Sequence, residues 1–504
     1  MSGAGARRLR AAGRLVAAAL ACALAPALAA AQHYQADFPP EEFRARWNAV
    51  LDRIGAEAVA VVQGVALTNG YQLPRQTNSI YYLSGIETPH AYLRLDGRDR
   101  RVTLYLPPRN ERLERSEGKV LSAADAELVK RLVGADEVLS TEAMGPSWPL
   151  GEATPGAIYA ESVPAEGYAQ SRHELQAADA AIANDFWDGR LSRERRFVEL
   201  LRARHARAAI KDLTPVLDEL RGIKSPREIA LVRRASQLAG LGVLEAIRST
   251  EPGVYEYQLD AACRYVFLLN DARLDGYRSI TASGTANIWN AHYFRNTKKL
   301  EAGELVLMDY APDYRYYVSD IGRMWPVDGR YRPEQRELLQ FVLEYRNAVM
   351  SRIRPGVSPE AIRAEAKLAM EPVFARSRFS KPSFEAAARK LVETGGGVFS
   401  HTVGMAVHDV GSYREVLKPG HVFSVDPQLW VPEESLYYRY EDTGVVTETG
   451  FENFTAFLPS ELHELEALAR ETGLVQTLPA TTLAGFEALA KGVAPAARRA
   501  PRAR

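Results

Sequence analysis

Only two cysteines occur in 504 residues, and one of them, Cys22, lies inside an N-terminal apolar stretch. If that stretch is removed, Cys263 is left alone and no intramolecular disulfide can form. A chain of this length has enough core to do without one. Cys263 sits in LDAACRYVFLL, an apolar helix-like run, and reads as a buried, inert thiol. Net charge is also missing, since 63 basic residues balance 63 acidic ones. The balance is uneven, however. The leader carries Arg7, Arg8, Arg10 and Arg14 and the segment from 491 to 504 carries five cations, neither with an acid, so the body between them is net −9. A mildly acidic body argues against a nucleic-acid-binding face. The apolar run from Leu15 to Ala30 is shorter than the roughly 20 residues a membrane span needs. With arginines before it and Ala29-Ala30-Ala31 after it, it has the form of a secretory signal cut near Gln32. The expectation is an exported protein, periplasmic or secreted, with no membrane span in the mature chain; an uncleaved anchor is the alternative.

At 46 % hydrophobic residues the chain is neither disordered nor fibrous, and its length allows several domains. From about 34 to 140, β-like runs (AVAVVQG, SIYYLSG, YLRL, RVTLYLP) alternate with helical patterns (EEFRARWNAVLDRIG, DAELVKRLVG). That alternation predicts a small α/β domain. Residues 141–170, rich in Gly, Pro, Ser and Ala, read as an irregular connection. The basic stretch from Ser192 to Lys224 follows, its charges most simply a solvated helix face. A second domain opens on Ser225-Pro226-Arg227-Glu228, with a capping Ser, Pro in the first turn and Glu placed to return the bond, which predicts a helix to about Arg248. The division expected is a signal peptide at 1–31, an N-terminal domain at 34–220, a larger domain at 221–460 and a C-terminal helix with a disordered basic tail at 461–504.

The second domain carries a weak internal repeat of helix, Pro-Gly-Val turn and helix, with Pro252 and Pro355 at matching places. Polar residues extend it. His292 precedes His401 by 109, Asp309 precedes Asp426 by 117, and Asp320 precedes Glu441 by 121, offsets that keep order and grow slowly as in a duplicated unit. Such a duplication predicts a pseudo-two-fold axis. Asp309 ends LVLMD, Asp320 follows YYVS, Asp426 ends FSVD and Glu441 follows YYRY, so four acids close apolar runs. Buried carboxylates without counter-charge cost several kcal/mol or become protonated. Antiparallel hairpins would bring each pair together, with Arg439 on the face of Glu441. Any one of these acids alone is more simply a turn or cap residue; as a duplicated set they suit a divalent pair such as Mn²⁺, Zn²⁺ or Co²⁺. Gly404, between His401 and His408, suggests a close approach there. His421 and His463 read as structural.

Residues 277–327 (YRSITASGTANIWNAHYFRNTKKLEAGELVLMDYAPDYRYYVSDIGRMWPV), with SHTVGMAVHDVG, VDPQLWVP and YRYEDTGVVTETG, resemble the pita-bread metallopeptidases, most closely aminopeptidase P and prolidase. SIYYLSGIETPHAYLRL resembles the N-terminal domain of those two, and the likeness spans roughly 40–460. The resemblance implies an α/β N-terminal domain followed by an α+β pita-bread catalytic domain with internal pseudo-two-fold symmetry. It implies that Asp309, Asp320, His401, Asp426 and Glu441 bind two metal ions, Mn²⁺ first with Zn²⁺ or Co²⁺ as alternatives, and that Asp320 and Glu441 bridge them. His292 and His408 would position substrate and stabilise the oxyanion, Asp426 would carry the proton, and Arg439 would brace the ligands. The implied reaction is attack of a metal-bridging hydroxide on the carbonyl before proline in an Xaa-Pro peptide. A homodimer is expected from the family.

Two departures stand out. The family commonly has Glu followed by Pro-Gly where this chain has Asp426-Pro427-Gln428, which shortens the acid meant to shuttle the proton. Aminopeptidase P commonly has His where this chain has Gly397, which removes a pocket imidazole. An Xaa-Pro dipeptidase, a metallopeptidase of other dipeptide specificity and a metal-retaining non-catalytic protein are the competing readings. Creatinase-like hydrolases lack the metal set.

Overall fold

The computed structural model describes residues 34–66, 73, 75–145, 155–413, 415–478 and 480. The expected signal peptide and most of the expected basic tail lie outside the described residues. Among the described residues no helix is long and apolar enough to cross a membrane. The described residues divide into two compact units, one within Met1–Gly167 and Leu175–Leu220, the other within Tyr168–Glu174 and Arg221–Arg504.

The first unit opens with the helix Pro40–Ile54, which has Pro in its first turn and Phe43, Trp47, Val50, Leu51 and Ile54 buried along one stripe. Its strands are β1 (Ala58–Gln63), β2 (Tyr92–Asp96), β3 (Arg101–Leu106), β4 (Glu137–Ser140), β5 (Ala157–Ala160) and β6 (Ala209–Asp212). They form one sheet in the order β4-β3-β2-β1-β5-β6. β1 runs antiparallel to β2 and parallel to β5, so the sheet is mixed. Helices separate most of these strands as the α/β pattern predicts, while β2 and β3 are joined directly by a turn.

Three expectations for this unit need correction. SIYYLSG is not a strand: Asn78–Ser84 is a helix buried on all sides, closed by Gly85 in the left-handed region at φ 64°. An apolar run this short and wholly buried has no periodicity to separate strand from helix, and the glycine stop decides it. The stretch 141–170 is not simply irregular, because β5 lies within it and pairs with both β1 and β6. Four residues flanked by turn formers carry too little pattern to be seen. The basic stretch is not one solvated helix face either; it divides into helix Arg193–Arg204, β6 and helix Thr214–Gly222. Arg221, near its end, is buried and ion-paired with Asp409 at 2.6 Å.

In the second unit the helix Pro226–Arg248 begins as the cap predicts. Ser225 Oγ accepts from the Glu228 N–H at 3.3 Å, and Glu228 Oε2 accepts from the Ser225 N–H at 3.0 Å. It packs against Glu256–Leu269, which buries Cys263 and Phe267. Short strands follow: β7 (Leu274–Asp275), β8 (Ile280–Ser283), β9 (Leu305–Asp309), β10 (Pro312–Asp313) and β11 (Gly322–Pro326). The order β11-β9-β8 makes an antiparallel sheet, with β10 on β7 beside it. Two further helices, Pro333–Met350 and Pro359–Arg376, repeat the helix pair, and Pro382–Thr394 is added to it. The second set of strands is β12 (Val422–Val425), β13 (Gln428–Val431), β14 (Leu436–Arg439), β15 (Asp442–Val446) and β16 (Phe451–Asn453), ordered β12-β15-β16 and β13-β14. Each half is thus a helix pair laid on antiparallel strands. The halves join where Gly322 and Glu441 exchange backbone hydrogen bonds at 3.2 and 3.0 Å. This is the pseudo-two-fold, pita-bread arrangement. The helices Leu462–Leu468 and Leu474–Thr477 follow it.

Candidate metal centre

The acids collect where the two half-sheets meet. Asp309 is the last residue of β9 and lies opposite Gly322, the first of β11. Asp320 falls two residues before β11, outside the strand, where its own N–H and C=O are held by Thr443 Oγ1 at 3.0 and 2.6 Å. In the second half, β12 pairs with β15 through Val425 and Asp442, whereas β13 pairs with β14 through Gln428 and Arg439. Asp426 and Glu441 lie in the gap between those two ladders. Breaking the pairing there frees both carboxylates to turn away from the sheet toward Asp309 and Asp320.

Asp309, Asp320 and Glu441 each offer an oxygen, all within 4.8 Å of one another. Asp320, His401 and His408 form a second such group, so Asp320 belongs to both. His401 Nε2 is 3.3 Å from Asp320 Oδ2, and its ring centroid is 4.2 Å from that of His408. The segment that presents these rings folds back on itself, with Thr402 Oγ1 donating to Asp409 O at 2.8 Å. Gly404 sits at its tightest point: a Cβ there would fall 2.2 Å from Asp409 Oδ2, so only glycine fits. Asp426 joins neither group, and Arg439 links it to them. The guanidinium reaches Asp309 Oδ2 from Nη1 at 2.7 Å, Asp426 Oδ1 from Nε at 3.0 Å and Asp426 Oδ2 from Nη2 at 2.8 Å, and Nη2 also donates to Glu441. His292 is exposed, and its effect on the cluster is electrostatic, through His408.

Burial raises the pKa of Asp320 well above the ordinary carboxylate range, and the charge of Asp309 adds to the rise. Glu441 is raised in the same direction, by burial first and by Asp320 and Asp426 against the opposing pull of Arg439. Four acids facing one arginine are short of positive charge. Glu441 Oε1 is buried with no hydrogen-bond partner among the described residues. Oxygen donors in excess, an orphaned carboxylate oxygen and an adjacent imidazole fit hard or borderline divalent ions. Burial lowers the pKa of His401, keeping the imidazole neutral and able to ligate. His408 is pushed down to about 3 by burial and by the His401, His173 and His292 rings.

Several neighbours of the cluster lie outside the repeated acids and histidines. Tyr277 donates to Asp309 Oδ1 at 2.6 Å and lies 3.1 Å from Asp320 Oδ1. It opens the motif YRSI, which offered a signal. His173 packs on His408 with ring centroids 5.0 Å apart, and nothing in its local sequence foretells that. Gln428 donates from Nε2 to Asp426 Oδ2. His421 is buried, its Nδ1 accepting from the Lys418 N–H at 3.1 Å, in keeping with a structural role.

Residues 230–448 match the family profile described as "Metallopeptidase family M24", and residues 43–149 match "Aminopeptidase P, N-terminal domain". The chain belongs to the aminopeptidase P family of pita-bread metallopeptidases. It is 35 % identical over 280 residues to an Xaa-Pro aminopeptidase of Escherichia coli, an alignment covering 52 % of this chain and 63 % of that one. An Xaa-Pro aminopeptidase of Haemophilus influenzae is 28 % identical over 458 residues, 86 % of this chain and 98 % of its own. The solved structure of proline aminopeptidase P II from Yersinia pestis superposes with a TM-score of 0.70 at 27 % identity, covering 86 % of this chain and 99 % of that one. An aminopeptidase P family chain of this kind is a metallo-exopeptidase.

Proposed function

We propose that the chain is an exported aminopeptidase that binds two divalent ions, Mn²⁺ first, and removes the residue before a proline at a peptide's N-terminus. The observation that carries this reading is the pair of ligand groups sharing Asp320. Asp309, Asp320, His401, Asp426 and Glu441 would hold the ions. Bound there, a divalent pair lowers the pKa of water and polarises the scissile carbonyl.

The chain's own groups do the rest. Arg439 fixes Asp309, Asp426 and Glu441 relative to one another by charge-assisted hydrogen bonds. Tyr277, whose hydroxyl is held protonated by burial and by Asp309 and Asp320, keeps donating to those acids. His408 is neutral at physiological pH, so it offers an N–H to oxyanion charge without itself adding a cation. His292 at the rim contacts the peptide. Asp426 takes the proton from water and returns it to the prolyl nitrogen, which has no N–H of its own. The leader Leu15–Ala30 with its arginines supports export, and family resemblance supports a homodimer.

The test is direct. Protein stripped with EDTA and reloaded with Mn²⁺ is expected to hold about two ions per chain and to release the first residue of Xaa-Pro-Xaa peptides faster than it splits Xaa-Pro dipeptides. Failure of metal-loaded protein to cleave any Xaa-Pro peptide overturns the reading. Preference for dipeptides turns it into a dipeptidase.

A further inference from the structure

Three features of this chain that look separate meet at one point: the short acid Asp426, Gln428 two residues on, and Gly397. Gln428 begins β13 directly across from Arg439. From those facing positions both side chains grip the same carboxylate, Arg439 through Nε and Nη2 and Gln428 through its amide nitrogen. Asp426 is therefore held by three N–H donors on two oxygens. The Gln428 amide lies where a side chain on residue 397 would go. A Cβ at Gly397 would stand 2.7 Å from Gln428 Nε2, 2.9 Å from its Cδ and 2.5 Å from Asp426 O. Gly397 is not among the glycines of positive φ, so room and not backbone conformation demands glycine there. The neighbouring Gly396 is tight as well, with a Cβ falling 2.9 Å from Gln428 N.

We infer that Gln428 is a positioning residue for the metal centre, its amide clamping the short Asp426 carboxylate at the reach the ligand set requires, in space that Gly397 vacates. The inference rests on the proposed metal-dependent reading of the site. The three residues form a single compensated set: an acid one methylene shorter is steered by an amide, and the amide is accommodated by a glycine. A glutamate at 426 would extend into the amide's place and would need no such clamp.

Partners that orient metal ligands typically change metal affinity or activity by 10–100-fold. Gln428→Ala and the size-matched Gln428→Glu are therefore expected to weaken Mn²⁺ binding to EDTA-stripped protein by at least about tenfold by calorimetry. They should lower kcat by a similar factor with KM nearly unchanged, while circular dichroism and Tm stay at wild-type values. Asp426→Glu combined with Gln428→Gly is expected to recover both quantities, whereas Gln428→Gly alone does not. Wild-type Mn²⁺ affinity in both Gln428 variants, or a double variant no better than Gln428→Gly, overturns the inference. If wild-type protein binds Mn²⁺ yet cleaves no Xaa-Pro peptide, the functional reading fails on its own, and the Mn²⁺ isotherms still decide the role of Gln428.

Discussion

Removing the charge of Arg439 while keeping its stem should expose how the metal centre is balanced. Asp309, Asp320, Asp426 and Glu441 are all buried, and Arg439 is bonded to three of them. Without metal, four carboxylates share that one guanidinium; two divalent ions would reverse the deficit. Burial opposes the charge of Arg439, but Asp426 and Glu441 outweigh it and hold its pKa well above the ordinary arginine value. Arg439→Met keeps much of the packing, so its cost is mainly electrostatic. Breaking a buried ion pair from one side costs about 3–5 kcal/mol. At roughly 2–4 °C per kcal/mol for a domain of this size, the metal-free variant should melt about 6–20 °C below wild type. Saturating Mn²⁺ supplies the missing charge and should close most of that gap. The assay is thermal unfolding of both proteins in EDTA and in Mn²⁺, where the metal-induced rise in Tm is expected to be larger for the variant. Equal rises, or metal-free melting temperatures within about 2 °C of each other, would refute the view of Arg439 as the counter-charge of the empty ligand set.

Two other buried groups give sharp expectations. Asp442 is fully buried and accepts from Arg323 and Arg346 at 2.6 Å each, and these cations outweigh burial to lower its pKa. Asp442→Asn strands two guanidinium groups and should cost about 3–5 kcal/mol, read as a lower urea midpoint with unchanged slope. His421 has its pKa lowered to about 4 by burial and by Lys224 and Lys418. The unfolded chain, near the ordinary histidine value of about 6.5, therefore takes up that proton first as pH falls, so wild type should lose stability between about pH 6.5 and pH 4 and no more from this group below that. His421→Asn, which can still accept from the Lys418 N–H, should lose less between pH 7.5 and pH 5 in paired Tm measurements; an equal loss assigns the pH dependence elsewhere.

The parts of the fold legible in the sequence were those with a local cause. Ser225, Pro226 and Glu228 announce a helix start because the bonds that make the cap lie within four residues. The strands AVAVVQ, YLRLD and RVTLYL declare themselves by β-branched and apolar content. What escaped was set by tertiary contact. Asn78–Ser84 is helical although its composition suits a strand, and β5 exists because β1 and β6 flank it. The site follows the same division. Acids ending apolar runs are visible as an unpaid electrostatic cost, even with no knowledge of what they face. The contact of His173 with His408 spans 235 residues and leaves no periodic trace.

Asp426 shows why departures from a family pattern have to be judged together. Taken singly, a shortened acid, a glutamine after proline and a glycine in place of histidine each suggest a weakened site. In space they touch: the glutamine amide donates to the acid, and the glycine leaves room for the amide. Arg439 holds the same carboxylate from the strand opposite, so Asp426 is more tightly restrained than its short side chain would suggest. Any movement of that carboxylate has first to break these N–H contacts. Replacing Asp426 by Glu while keeping Gln428 should therefore disturb the centre more than the same replacement made with glycine at 428, because the longer acid then competes with the amide for one space.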